Sequence, residues 1–238
     1  MIEAAINRVI ELAVPETFEF KGREYTSKTI FPVKDPEPQC LALYTLTGFV
    51  DYAQADIDDL DWDRILIHVY NHHKVLLFSR LTESFLQRLE YVSADFSENG
   101  FSFGQWMDVE SFIIKIQSQF VQDEATAEIL KLVGNLRDEN VRTVADDGVT
   151  QRVSAKASIA RVQDVDVPNP VTLRPYRTFL EIEQPESKFV FRLRRGNNEG
   201  QMPTCALFEA DGGQWKLVAI ERIRDYLKEK LPDIAVIA

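Results

Sequence analysis

Cysteine is scarce in this chain, and its two thiols do not form any of the patterns that cysteine-rich sites require. Cys40 and Cys205 lie far apart, and no C-x-x-C pair occurs. Disulfide scaffolds and cysteine zinc sites depend on several closely spaced cysteines. We therefore expect both residues to be small buried apolar side chains.

Long apolar runs and a leader peptide are also missing. No stretch approaches the roughly 20 apolar residues that span a bilayer. The N-terminal segment MIEAAINRVIELAVPE has Glu3 where a signal peptide would carry basic residues, which indicates a short amphipathic helix. These features predict a soluble cytoplasmic protein with no membrane partner.

The common catalytic and nucleotide-binding signatures do not occur. The chain contains no G-x-x-x-x-G-K-[ST], G-x-G-x-x-G, G-x-S-x-G or H-E-x-x-H. Asp146-Asp147-Gly148 and Asp211-Gly212-Gly213 place carboxylates together, but both fit the chemistry of tight turns. We predict no catalytic residue and no cofactor, so an enzyme is the less favoured class.

Two motifs resemble metal sites and fail on spacing. His68, His72 and His73 fall in runs that favour strands, where the first two would lie about 13 Å apart, and we expect them in turns or on the surface. The segment DIDDLDWD alternates aspartates like a calcium loop but lacks its glycine and its final glutamate, which indicates an acidic connector. We predict no metal site.

Negative charge is concentrated in the first part of the chain. Residues 1–138 hold 23 acidic and 12 basic residues, whereas residues 139–238 hold 15 of each, and the net charge is -11. The negative field of the whole protein opposes nucleic acid at long range. Any contact with a polyanion must therefore come from the second part.

The first part reads as strands followed by a helix pair. TFEFKGREYT predicts a hairpin, QCLALYTLTGFVDYAQA a helix, and RILIHVYNHHKVLLFSRL two strands around a turn. FLQRLEYVSADF fits a strand or a short helix equally well. Apolar spacing in FGQWMDVESFIIKIQSQFVQ and EATAEILKLVGNLRDE predicts two helices, with Asp123 available to cap the second.

The second part reads mainly as strands. A turn at Asp147-Gly148 separates two strands, and TCALFEADGGQWKL predicts a hairpin around residues 211–213. VAIERIRDYLKEKL predicts a final helix. We expect an α+β fold with an N-terminal α/β portion, 1–138, that includes the helix pair. An antiparallel portion, 139–238, would follow and end in a helix, and the two could share one core.

Basic and aromatic side chains concentrate in VTLRPYRTFLEIEQPESKFVFRLRRG, residues 171–196. In a strand, the two-residue period would put Phe189, Phe191 and Leu193 on one face and the basic residues on the other. Candidate subunit or nucleic-acid contacts are Arg174, Tyr176, Arg177, Lys188, Arg192, Arg194 and Arg195. Glu181, Glu183 and Glu186 are near enough in sequence to pair with these bases, so an ordinary charged sheet surface remains the alternative.

The order of several segments resembles a known family. These segments are TSKTIFPV, LTGFVDYAQADI, FSFGQWMDVESFIIKIQSQF, ILKLVGNLRDENVRTVADDG and VTLRPYRTFLEIEQPESKFVFRLR. Together they are similar to the phage- and prophage-carried family typified by the uncharacterised protein YfdQ, over most of the chain. The resemblance implies a viral or prophage protein in a bacterial cytoplasm. It assigns no catalytic residues.

Three hypotheses for function follow. The first is a non-enzymatic phage accessory protein that assembles into a homo-oligomer or binds a host or phage macromolecule, with another copy as the first partner to test. The second is a nucleic-acid-binding accessory in phage replication or recombination. The third, an unrecognised hydrolase-type enzyme, requires a pocket where carboxylates or histidines with shifted pKa values converge.

Overall fold

The computed structural model describes residues 37–82, 86–97, 100–138, 169–194 and 203–238, and also 2, 3, 5, 6, 8, 17–20, 22–26, 143–146, 151–158 and 161–166. The chain divides into the units Met1–Glu37 and Pro38–Ala238. Its helices and sheets confirm the α+β class. Among the described residues, no helix has both the length and the apolar character that crossing a membrane requires.

The first unit contains the predicted hairpin. Strands β1 (Thr17–Phe20) and β2 (Arg23–Thr26) pair antiparallel. Phe18 stacks on Tyr25 across the pair. Gly22 adopts a positive φ of 76° at the turn, a backbone conformation that residues with a Cβ rarely adopt.

A five-stranded mixed sheet begins the second unit. Its strands are β3 (Leu41–Leu43), β4 (Ile65–Asn71), β5 (Lys74–Ser79), β6 (Glu90–Asp95) and β14 (Ala235–Ile237). They lie in the order β14-β4-β5-β6-β3, with β4, β5 and β6 antiparallel and both edge strands parallel to their neighbours. The predicted strand pair around the histidine turn is confirmed, and FLQRLEYVSADF supplies a strand.

Two helices cover this sheet. They are α1 (Leu46–Ala55) and α4 (Trp215–Lys230). Their apolar faces and the sheet form the first core, which includes Leu46, Phe49, Ile67, Leu77, Val92, Ile223 and Leu227. Most of these side chains are fully buried, so this core excludes water from one face of the sheet.

A four-stranded antiparallel sheet carries the second core. Its strands are β7 (Met107–Asp108), β11 (Val171–Leu173), β12 (Ser187–Arg194) and β13 (Thr204–Glu209), in the order β11-β12-β13-β7. The predicted helix pair, α2 (Val109–Gln119) and α3 (Glu124–Asp138), packs on it. Aromatic rings fill the interface: Phe101, Phe103, Phe112, Phe120, Phe189 and Phe191.

A third sheet is a three-stranded antiparallel meander. It contains β8 (Thr143–Asp146), β9 (Gln151–Ser158) and β10 (Arg161–Asp166). These strands confirm the change to strand-rich sequence after residue 141. The predicted turn at Asp147-Gly148 and residue Arg195 lie outside the described residues.

Two predicted helices begin later than their apolar patterns suggested. α1 starts at Leu46 because Thr45 accepts a hydrogen bond from Gly48 N (3.0 Å), and residues 41–43 pair with β6 instead. α2 starts at Val109 because Asp108 accepts one from Ser111 N (2.9 Å). The predicted cap Asp123 is confirmed by its bond from Thr126 N (2.9 Å).

The hairpin predicted around residues 211–213 is wrong. Asp211 does form a turn, accepting a hydrogen bond from Gly213 N at 3.0 Å, but the chain then enters α4. The final helix therefore starts at Trp215, three residues before the predicted segment VAIERIRDYLKEKL. The second strand of the predicted hairpin would have required an extended segment after the turn, but the apolar spacing of that segment is already helical.

Residue 138 does not separate the two cores. The second core combines residues 101–133 with residues 171–207, and the first combines residues 46–94 with residues 179–231. The uneven charge that suggested a boundary does not predict how apolar residues group into cores, because charged side chains seldom contribute to them.

Candidate binding groove

A short antiparallel ladder joins the end of α2 to the segment that follows β11. Val121 N donates to Arg174 O (2.9 Å), and Tyr176 N donates to Gln119 O (2.8 Å). Phe120, between the two bonds, is fully buried in the second core. Because side chains alternate along extended chain, Gln119, Val121, Arg174 and Tyr176 face away from that core.

These four side chains form the floor of a groove of about 850 Å³. The groove has mainly apolar walls, a few amides and hydroxyls, and one charged pair. The remaining lining residues are Phe96, Ser97, Ser118, Leu180, Ile182, Glu183 and Gln184. Its volume lies in the range of sites that hold small molecules or peptide segments.

The loop on one side of the groove is held by a buried glutamine. Gln184 Oε1 accepts a hydrogen bond from Arg177 N (3.1 Å), and its Nε2 donates to Phe179 O (3.0 Å). These bonds fix the loop while its apolar tip faces solvent, since Leu180 is 64% exposed. The groove is therefore preformed and rimmed by an accessible leucine.

Arg174 lies in the groove with its charge already balanced. Its Nε and Nη2 are each 3.1 Å from Asp123 Oδ2, and its Nη1 donates to Glu183 Oε1 (3.3 Å). Glu183 also pairs with Arg222 at 3.2 Å. Burial raises the pKa of Asp123, but hydrogen bonds from Thr126 and Arg174 outweigh it and hold that pKa below its ordinary value.

One polar atom of the groove lacks a partner. Gln119 Oε1 is buried from solvent and accepts no hydrogen bond from the described residues. A buried acceptor without a donor is costly, typically by about 1 to 3 kcal/mol. A ligand N–H would remove that cost once the Gln119 side chain turns its buried Oε1 toward the groove.

Arg177 is not on the surface, although the sequence placed it among the candidate contacts. Its side chain is 2% exposed, and it donates to Glu209 Oε1 at 2.6 Å and to Ser187 Oγ. Its guanidinium lies 3.7 Å from the centre of the Trp215 ring. The arginine-aromatic pattern that suggested nucleic acid is here an interior packing arrangement.

Three further candidates, Lys188, Arg192 and Arg194, lie on β12. The predicted alternation is confirmed, since Phe189, Phe191 and Leu193 are buried while Lys188 and Arg194 are exposed. We call the opposite side of the strand and its neighbours the basic sheet face: Lys188, Val190, Arg192, Arg194, Phe208 and Trp106. Arg194 lies 4.2 Å from the Trp106 ring centre, and Trp106 packs edge-on against Phe208.

Two of the glutamates between β11 and β12 are engaged away from this face. Glu183 pairs with Arg174 and Arg222, and Glu181 accepts a hydrogen bond from Thr47 N (3.0 Å) at the start of α1. Among the described residues, no carboxylate lies within ion-pair distance of Lys188 or Arg194. Two exposed cations therefore remain beside an aromatic pair.

The histidines and cysteines form no reactive cluster in the described part of the chain. His72 and His73 occupy the turn between β4 and β5, and His73 Nδ1 lies 3.0 Å from Asp95. Burial raises the pKa of Cys205 to about 12, and burial with a hydrogen bond to Glu90 raises that of Cys40 to about 11. The described residues also contain no group of three side chains placed to bind a metal ion.

No protein family, curated protein or solved structure matches this chain. The resemblance to the YfdQ-type family thus remains a prediction.

Sequence reasoning identified Arg174 and Tyr176 but missed the rest of the groove. Gln119, Val121 and Leu180 come from the end of a helix and from a loop, where no periodic pattern marks them. The apolar residues of FLEIE carried a signal, because Phe179, Leu180 and Ile182 lie among glutamates in a segment too short for its own core.

Proposed function

We propose that this protein is a non-enzymatic binding protein whose groove receives an extended segment of a partner protein. The observation that carries the proposal is the preformed groove, with exposed Leu180 on its rim and apolar Val121 and Ile182 in its lining. Protein surfaces seldom leave such apolar concavities without a partner.

Hydrogen-bonding groups in the groove match a peptide backbone. Gln119 Oε1 lacks a donor, and a main-chain N–H supplies one when the Gln119 side chain rotates toward the bound segment. Arg174 directs three of its five N–H groups at carboxylates, so two remain for an acceptor such as a main-chain carbonyl. An extended segment offers both groups while its apolar side chains contact the groove walls.

The chemistry of the lining favours binding over catalysis. Among the described residues that line the groove, the hydroxyls of Ser97 and Ser118 have no histidine beside them, and the single glutamate is committed to two arginines. The same pairing makes Arg174 a poor phosphate ligand. A phage or host protein in a bacterial cytoplasm is the partner class that the family resemblance adds to the proposal.

The first prediction uses a random short-peptide library presented to the purified protein. We expect selected peptides to share apolar residues, and we expect Leu180→Asp to weaken their binding by about tenfold or more, because it puts a charge against an apolar side chain. Fluorescence anisotropy with the labelled peptide measures the change.

A matched control is available on α4. Leu217 is 65% exposed, nearly the same as Leu180, but does not line the groove. Leu217→Asp should therefore leave peptide affinity unchanged. Equal losses for both substitutions, or selected peptides that bind Leu180→Asp as tightly as the wild type, would contradict the proposal.

The unpartnered amide gives a second test of the same site. Gln119→Leu removes the acceptor and keeps similar bulk, so it should weaken a selected peptide but not a version N-methylated at the contacting amide. If both peptides lose affinity equally, Gln119 does not receive a main-chain N–H.

A further inference from the structure

An acidic loop, residues 56–64, follows α1 and surrounds one exposed apolar side chain. Residues 54–59 are all exposed, and Ile57 is 73% exposed. The aspartates of the loop are Asp56, Asp58, Asp59, Asp61 and Asp63, and its one basic residue is Arg64. This arrangement produces a local negative field around an apolar contact point.

The loop is held in a defined shape. Tyr52 Oη donates to Asp58 Oδ2 (2.6 Å), and Trp62 Nε1 donates to Asp56 Oδ1 (2.8 Å). Asp59 has a positive φ of 50°, a conformation that aspartate and asparagine tolerate. The carboxylates of Asp59 and Asp63 make no ion pair or hydrogen bond within the described ranges, so they remain available to a partner.

The basic sheet face has complementary properties. Lys188 and Arg194 are exposed cations, about 20 Å apart along β12 if it is fully extended. Between them the face presents half-buried apolar and aromatic side chains: Val190, Phe208 and Trp106. A negatively charged protrusion with an apolar tip fits both parts of this surface.

We propose that the acidic loop of one copy docks on the basic sheet face of a second copy. Asp59 and Asp63 would face Lys188 and Arg194, and Ile57 would contact the aromatic pair. Because the two surfaces are different parts of the same chain, the contact either forms twice about a two-fold axis and closes a dimer, or forms head to tail and builds a ring or a filament. This assembly is independent of the peptide groove.

Ionic strength should affect the assembly in two opposite ways. Each copy carries a net charge of -11, so copies repel one another at long range when salt is low. At about 0.1 M salt the screening length of roughly 10 Å suppresses that repulsion but preserves contacts at the interface. At about 1 M salt the contacts are screened as well, so association should be strongest at intermediate salt.

The second prediction is a complementation experiment. One variant, Lys188→Gln with Arg194→Gln, loses the basic sheet face, and the other, Asp59→Asn with Asp63→Asn, loses the acidic loop. Each should be monomeric alone, because each retains only one half of the contact. Mixed together they should form a dimer of one copy of each and nothing larger, as measured by sedimentation velocity near 0.1 M salt.

Several outcomes would overturn this inference. A wild type that stays monomeric at every salt concentration has no such contact. A dimer formed by either variant alone indicates a surface that pairs with itself. Assemblies that persist in both variants depend on other residues. Circular dichroism and thermal unfolding of both variants should match the wild type, since all four substituted side chains are exposed.

Binding of a labelled single-stranded oligonucleotide tests the alternative that nucleic acid, rather than a second copy of the chain, occupies the basic sheet face. Binding that disappears only in the Lys188→Gln, Arg194→Gln variant, with a wild type that stays monomeric, would assign the face to nucleic acid and overturn the self-association. The Leu180→Asp variant should still assemble normally, so failure of the groove proposal and failure of this one are separable.

Discussion

At the scale of single residues, Arg177 is the clearest case in which one side chain links distant parts of the fold. Its guanidinium lies against Trp215 of α4 and within 5.7 Å of the Phe189 ring of β12. Arginine suits this position because its planar group stacks on aromatic rings while its N–H groups reach Glu209 and Ser187. The interior thus holds a charge that is stacked and hydrogen-bonded.

The third prediction tests this role. Arg177→Met should lower the free energy of unfolding by about 1.5 to 3 kcal/mol, because it removes charged hydrogen bonds to Ser187 and Glu209, although Glu209 is 42% exposed and stays solvated. Arg177→Lys should recover little, since an ammonium group cannot stack or reach both acceptors in the same way. Urea denaturation measures both variants.

Arg194→Met is the matched control for this prediction. Arg194 also lies over a tryptophan, Trp106, but is exposed, so its loss should cost about 1 kcal/mol or less. If Arg177→Met destabilises the protein no more than Arg194→Met does, the buried arginine has no special part in joining the two cores.

At the scale of secondary-structure elements, hydrogen-bonding caps decide where the helices begin. The apolar pattern around α2 extends from Trp106 to Phe120, yet the helix occupies only Val109–Gln119. Asp108 accepts hydrogen bonds from Ser111 N and from Ser111 Oγ (2.7 Å), which ends the extended strand β7 and starts the helix. Trp106 is thereby left to the basic sheet face.

The fourth prediction concerns this cap. Asp108→Ala should destabilise the protein by about 1 kcal/mol at neutral pH, whereas Asp108→Asn should cost much less because asparagine caps equally well. Bonds from Ser111 hold the pKa of Asp108 below its ordinary value of 3.8. The stability that ionised Asp108 adds is therefore present above that pH and lost as pH falls through the lowered pKa. Thermal unfolding of the three proteins provides the comparison, and equal losses for Ala and Asn would exclude a capping role.

At the scale of the whole second unit, the two cores meet through a small set of contacts around the β4–β5 turn. His72 packs edge-on against Trp215, with ring centres 4.7 Å apart, and Thr178 Oγ1 donates a hydrogen bond to the main-chain carbonyl of His72. Arg177 contacts the other side of the same junction. Burial, followed by the nearby charges of His73, Lys216 and Arg177, lowers the pKa of His72 to about 4.

The fifth prediction follows from this shift. The ordinary histidine pKa is 6.5, so between about pH 6.5 and pH 4 the unfolded chain binds a proton at His72 that the folded protein does not. Stability due to neutral His72 is complete above that range and is lost as the pH falls through it. His72→Phe keeps an aromatic ring without a titrating group, and its unfolding free energy should fall less between pH 7.5 and pH 5. Parallel curves for the two proteins would contradict the shift.

Some of the fold follows from local sequence because neighbouring residues decide it. The alternation of Phe189, Phe191 and Leu193 with polar residues predicted both faces of β12, and helical spacing predicted α2 and α3. The class of the fold followed from these elements. The family resemblance, the function and the partners do not follow from local sequence patterns, and they remain proposals.

The rest depended on contacts between residues distant in sequence. Leu41 belongs to a strand because β6 lies beside it, although its spacing suits a helix. Arg177 and Arg194 occur in the same arginine-aromatic pattern, and only the packing of Trp215 buries one of them. The groove is made where the ends of α2 and β11 pair and the loop at Leu180 folds over them.

By itself, the sequence determined which faces are apolar and where charge concentrates, because those are properties of local spacing. The tertiary structure decided which charges are paired, buried or exposed, because that depends on which distant segments meet.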